Sequence, residues 1–233
     1  MSDLQGFGFV VPHWAYWGWL TIMPLVFMYI IKRRASIEKE IPLTPDEQLA
    51  FDLLAEEDPV LNVEGNKFTK IIDKISDFTG IFIALWTVNA VVAYAYEVIM
   101  RYIFNMPTIW VHEASFLLFG MQYLMTGAYA MLHGAHVRVD ILYIKLPPRG
   151  RVGMDIFTSV FFFIFVIALM ATSWKFFISS YGMNEITLET WGIQYWPVKL
   201  LMFTGAILLM LAGVSKLIKD IMMFRLMGEE KNK

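Results

Sequence analysis

Between Asp155 and Lys175 the chain runs from Ile156 to Trp174 without one charged side chain. A helix of that length rises about 28 Å, close to the roughly 30 Å hydrocarbon core of a bilayer. Four other stretches have comparable character: Trp14–Ile31, Phe78–Ile99, Trp110–Leu132 and Val198–Ser215. Each lies within or near the 17–25 residues that cross a membrane as a helix. The reading is therefore an all-α integral membrane protein with five spans. Composition agrees, at 58% hydrophobic and 17% charged, where soluble domains average roughly 45–50% and 25%. So apolar a chain is not disordered. With no cysteine, a disulfide framework and any Cys-ligated zinc or iron–sulfur site are excluded. A net charge of −2 without a basic cluster gives no footprint for nucleic acid.

The first apolar stretch is not built like a signal peptide, which carries its basic residues ahead of the apolar run. Here Asp3 precedes it and Lys32-Arg33-Arg34 follows, so residues 1–34 read as an uncleaved span with the N-terminus outside. Pro24 inside it removes one helical hydrogen bond and predicts a kink. That orientation puts sixteen Lys and Arg in cytoplasmic segments and three, Arg101, Lys175 and Lys199, outside. Basic residues concentrate on the cytoplasmic side, so the C-terminus, including the tail 224–233, is expected in the cytoplasm.

Residues 35–77 form a hydrophilic, acidic cytoplasmic linker. Thr44-Pro45-Asp46-Glu47 has the pattern of a capping box with Pro at the first helical position. From Asn66 onward Phe68, Ile71, Ile72, Ile75 and Phe78 alternate at helical spacing with Lys67, Lys70, Asp73, Lys74 and Asp77. This amphipathic stretch either lies on the membrane surface and bends into the second span, or extends that span into solvent. Residues 78–223 then hold four spans. No internal repeat is visible, so the inverted-repeat plan of many transporters is unsupported.

Ionisable groups inside spans are costly and face protein or water. Asn89, Ala93, Glu97 and Arg101 recur every fourth residue along the second span, placing Glu97 and Arg101 as an i,i+4 pair near its outer end. A self-neutralising pair that anchors the helix end is the simpler reading, ahead of an ion or proton relay. Glu113 starts the third span, and the short loop before it brings Glu97, Arg101 and Glu113 into one outer charged cluster. Gly120, Gly127 and Gly134 follow Glu113 at seven-residue steps, and Thr126, Ala130 and Gly134 add small residues at four-residue steps. Small residues let helix backbones approach closely in lipid. One face of this span is thus expected to be a packing seam, within the chain or against a partner. His112 and His133 stand about 31 Å apart on one helix and cannot ligate one haem. His133 and His136 have only Asp140 nearby, too few ligands for a metal. No catalytic constellation stands out, so no enzyme activity, cofactor or metal is expected. Trp110, Trp191 and Trp196 are placed as interfacial aromatics.

Three ordered motifs carry a family resemblance. Arg101-Tyr102-Ile103-Phe104-Asn105 is followed by Pro107, Trp110 and Glu113. Gly127-Ala128-Tyr129-Ala130 leads to Gly134, and His136-Val137-Arg138-Val139-Asp140 precedes Leu146-Pro147 and Arg151. In this order the chain resembles the small, DctQ-like membrane subunit of tripartite ATP-independent periplasmic transporters. The family layout has four helices, so the first span and acidic linker are an addition.

The resemblance implies a non-catalytic scaffold in a bacterial inner membrane. It implies a periplasmic solute-binding protein that captures an organic acid, and a large multi-span subunit that moves it on a sodium gradient. Sodium and substrate sites are then expected in the large subunit, and this chain's partners are those two proteins and lipid. His136, Arg138 and Asp140 are expected to fix the cytoplasmic turn after the third span. The alternative is a membrane anchor of a respiratory or quinone-linked complex, a class that calls for haem-type His pairs on separate helices.

Overall fold

The computed structural model describes residues 10–38, 65–134 and 146–230. Among them are seven helices: α1 (His13–Glu38), α2 (Lys67–Ala84), α3 (Trp86–Tyr102), α4 (Val111–Met125), α5 (Gly127–Leu132), α6 (Pro148–Gly182) and α7 (Trp196–Glu230). The described extended pairing is a single antiparallel bridge, Ile186 to Gln194. Five helical segments are long and apolar enough to cross a membrane: His13–Arg34, Lys67–Tyr102, Val111–Leu132, Pro148–Gly182 and Trp196–Gly228. Four of the five expected spans fall inside one of these, and the third, Trp110–Leu132, begins one residue before its segment. The proposed Thr44 cap and linker residues 39–64 lie outside the described residues.

Helix α1 continues through Pro24, whose side chain is fully buried. The second and third spans are each interrupted once. Leu85 separates α2 from α3 while its N–H still bonds the Ile81 carbonyl at 3.3 Å. Thr126 separates α4 from α5, and its hydroxyl donates back to the Gln122 carbonyl at 2.9 Å. Such back-bonding competes with the helical ladder and bends helices.

Helix α2 is turned the opposite way from a soluble amphipathic helix. Thr69, Ile72 and Ser76 are buried, whereas Phe68, Ile71, Ile75 and Phe78 are exposed. In water, burying that polar stripe and baring the apolar one would oppose the hydrophobic effect. In lipid the costs reverse, because a polar group there must find a protein partner.

The chain divides into two compact units. The first comprises residues 1–38, 81–126 and 172–204, and the second 39–80, 127–171 and 205–233. In the first, Leu20, Met23, Trp86, Ala114, Leu118 and Met121 are core residues. In the second, Ile72, Ala128, Val152, Val166 and Ala212 are buried. Here Gly80 and Gly213 make close approaches to aromatic rings. A Cβ on Gly80 would overlap the Tyr129 ring near its attachment to the backbone, and one on Gly213 would overlap the far edge of Phe162.

Candidate functional site

The polar groups of the first unit gather where α3 turns into α4. Asn105, in the left-handed region at φ 55, helps reverse the chain. Asn tolerates that conformation because its short side chain bonds locally. The turn brings Thr108 under Glu97. One Glu97 oxygen accepts from Arg101, and the other accepts from the Thr108 hydroxyl and from the Thr108 N–H at 2.9 Å. Glu97 is buried and Arg101 half exposed. The carboxylate is thus held by three donors from one turn, an arrangement that fixes geometry.

Glu113 goes elsewhere. Its Oε1 accepts from Thr187, in the loop between α6 and α7, and its Oε2 is buried with no hydrogen-bond partner among the described residues. Sequence proximity therefore brings Glu97 and Arg101 together but does not capture the contact of Glu113. Thr187 was missed because it lies 74 residues away.

That loop is ordered by its own backbone. Helix α6 ends with Asn184 at φ 46, Asn184 N–H bonding the Tyr181 carbonyl at 3.3 Å and Glu185 N–H the Ser180 carbonyl at 3.1 Å. This is the double closure of a Schellman motif. Thr187 N–H then bonds the Ile193 carbonyl at 2.9 Å and Tyr195 N–H the Glu185 carbonyl at 2.9 Å, with Gly192 at φ 62 between them. Glu185 pairs with Lys199 at the start of α7. The Lys199 ammonium holds the Glu185 carboxyl below its ordinary range, against a smaller opposing effect of burial.

Trp191, expected at the membrane interface, is instead buried within the unit. Its ring meets His13 and Tyr16 edge-on at 5.2 Å each, and Trp110 at 6.3 Å. Its Nε1 donates to the Val11 carbonyl at 3.0 Å, and His13 Nε2 lies at hydrogen-bond distance, 3.1 Å, from the Trp191 carbonyl oxygen. Three more bonds dock α1. Tyr16 donates to the Ala114 carbonyl at 2.7 Å, Trp19 to Asn89 Oδ1 at 2.7 Å, and Trp86 to the Leu20 carbonyl at 2.9 Å. Between α1, α3 and α4 lies an apolar cavity of about 500 Å³, with Asn89 and Ser115 among its lining residues. Asn89 Nδ2 and Ser115 Oγ are buried with no hydrogen-bond partner among the described residues.

The second unit has its own ionic groups. Asp73 accepts from Ser215 at 2.8 Å and from Lys219 at 2.6 Å. Lys216 lies 3.0 Å from Asp220 and 3.7 Å from Asp155. His133 lies 3.1 Å from Asp77 and packs on Tyr129. Among the described residues no group of three His, Asp or Glu could hold a metal ion.

The small residues of the third span differ in role. A Cβ on Gly120 would meet nothing within 4 Å, and one on Gly127 would make ordinary contact with Leu209 at 3.4 Å. Ala130 is partly exposed. Gly134 has φ 65 just past the end of α5, its N–H on the Met131 carbonyl. Its glycine character serves the backbone turn, where a side chain would be strained. The signal for close approach lay in Gly80 and Gly213, which no spacing pattern singled out. His136, Arg138 and Asp140 lie outside the described residues.

A comparison with curated proteins finds no match. A family model described as "Tripartite ATP-independent periplasmic transporters, DctQ component" matches residues 90–222, more than half of the chain. The match covers α4–α6 and most of α3 and α7, leaving α1, the linker and α2 outside it. The chain accordingly belongs to the DctQ family: it is a small membrane subunit of a tripartite ATP-independent periplasmic transporter.

Proposed function

We propose that this multi-pass subunit is the non-catalytic scaffold of a sodium-driven, binding-protein-dependent uptake system for an organic acid. On this reading a large membrane subunit carries the sodium and substrate sites and works against the fixed surface that this chain provides. A periplasmic binding protein delivers the solute. The C-terminus lies in the cytoplasm, following the distribution of basic residues.

The observation that carries the reading is how the polar groups are engaged. Glu97 is held by Arg101 and Thr108, and Asp73 by Ser215 and Lys219. Groups locked in such pairs support a rigid helix assembly, whereas an ion path calls for groups that exchange partners. The family match favours this reading and lends nothing to the respiratory-anchor alternative.

Reconstitution tests it. Proteoliposomes with this chain, the large subunit and the binding protein are expected to accumulate a carboxylate solute only under an inward sodium gradient. They are expected to lose uptake when this chain is omitted. Uptake by this chain alone, or full uptake without it, would overturn the proposal.

A further inference from the structure

Beside the Thr187–Glu113 bond lies a pocket of about 370 Å³, walled by the first turns of α4 and by the α6–α7 loop. Three carboxylates line it: Glu113, Glu185 and Glu189. Glu185 is taken by Lys199. Glu113 is 5% exposed, and its Oε2 has no partner among the described residues. Glu189 is exposed and likewise has no side-chain partner among them. The rim is apolar: Phe116, Ile186 and Leu188 are 68%, 58% and 106% exposed. A charged, desolvated centre inside an exposed apolar ring is the anatomy of an interaction hot spot.

We propose that this pocket receives an arginine side chain from the large transport subunit. The inference rests on the subunit reading above and adds a contact point to it. With Glu185 taken by Lys199, two carboxylates, Glu113 and Glu189, remain beside the His112 imidazole, and the pocket calls for a cation. Guanidinium suits it better than a small ion, because its planar fork reaches two carboxylates while its stem packs on Phe116 and Leu188. A bound metal does not fit, since no three of the described groups could hold one. The large subunit is the indicated source because Glu113 and Phe116 belong to the membrane-spanning segment Val111–Leu132. An occupant lying across both walls therefore stands alongside the membrane segment, and a soluble protein meets only the loop.

The test uses the whole complex, extracted in mild detergent. Glu113→Gln and Glu189→Gln together are expected to lower the large subunit retained per small subunit by about tenfold, more steeply as salt rises. Glu189→Gln alone, at an exposed site, keeps the fold and gives a smaller loss in the same direction. Because the chain has no cysteine, Leu188→Cys gives a single thiol. Its labelling by a membrane-impermeant maleimide, with the outer envelope permeabilised, is expected to slow about tenfold when the large subunit is co-expressed. Unchanged retention in both variants with unprotected Leu188→Cys would sink the pocket and leave the subunit reading intact. A parent chain that retains no large subunit would overturn both. Protection by the binding protein alone would assign the pocket to a soluble partner and overturn this proposal.

Discussion

At the scale of single residues, the costs of substitution follow from what each side chain touches. Gly80 faces the inner part of Tyr129, which cannot move without its backbone, whereas Gly213 faces only the ring edge of Phe162. Gly80→Ala is therefore expected to destabilise the purified protein by about 1–3 kcal/mol. Gly213→Ala should cost less and Gly120→Ala little, in that order by thermal unfolding in detergent. Glu97→Gln keeps the shape but loses the charge that Arg101 and Thr108 bond. Arg101 is half exposed, so solvent screens part of the loss, and a cost of about 1–2 kcal/mol is expected by the same assay. Glu185 has a depressed carboxyl pKa in the folded chain. Its contribution is therefore complete above the unfolded value, roughly 4.3, and is lost as pH falls through the lower folded value. Acid titration of loop order is expected to show this step below about pH 4, and Glu185→Gln to remove it. An unaltered step in Glu185→Gln would assign it to another group.

At the scale of elements, α1 shows what periodicity can and cannot reveal. Its length and apolar content marked it as a span, but its face was hidden because every docking bond joins residues far apart in sequence. Tyr16 to Ala114, Trp19 to Asn89 and Trp86 to Leu20 are tied by tertiary geometry alone. Tyr16→Phe and Trp86→Phe each remove one buried donor while keeping most of the ring. Each is expected to cost about 1 kcal/mol, with the pair roughly additive in thermal unfolding unless the bonds are coupled. Helix α2 gives the complementary lesson. Its apolar period was plain from Phe68, Ile71, Ile75 and Phe78, but which face met protein depends on the solvent. Thr69 and Ser76 turn inward beside Asp73, which bonds Ser215 and Lys219, while Lys67, Lys70 and Lys74 stay exposed. In the third span a Cβ on Gly120 would meet open space and one on Gly127 would touch Leu209 at an ordinary distance, surroundings that spacing along the chain does not show.

At the scale of the whole molecule, the family region begins within α3 and ends in α7, so α1 is an addition docked on a family core. The expectation follows that removing residues 1–64 leaves four spans inserted, since Lys67, Lys70 and Lys74 still hold the new N-terminus in the cytoplasm. An N-terminal reporter should change from periplasmic in the full chain to cytoplasmic in the truncated one. The shortened protein should also melt lower, because the Trp86, Asn89 and Ala114 groups lose their α1 partners. Exposed apolar side chains along α6, such as Phe161, Ile164 and Phe165, are surface for lipid or for another subunit.

The sequence by itself determined the five apolar spans, the imbalance of basic residues and the ordered motifs of a DctQ subunit. These are properties of composition and local spacing, and lipid reads them without reference to the rest of the fold. The i,i+4 pair of Glu97 and Arg101 was legible for the same reason, since one helical turn sets it. Only the tertiary structure decided that Thr108 completes that pair, that Glu113 bonds Thr187, and that Trp191 lies buried against α1. A buried polar group in lipid must take whichever partner the packing brings near, and that partner is chosen by helices distant in sequence.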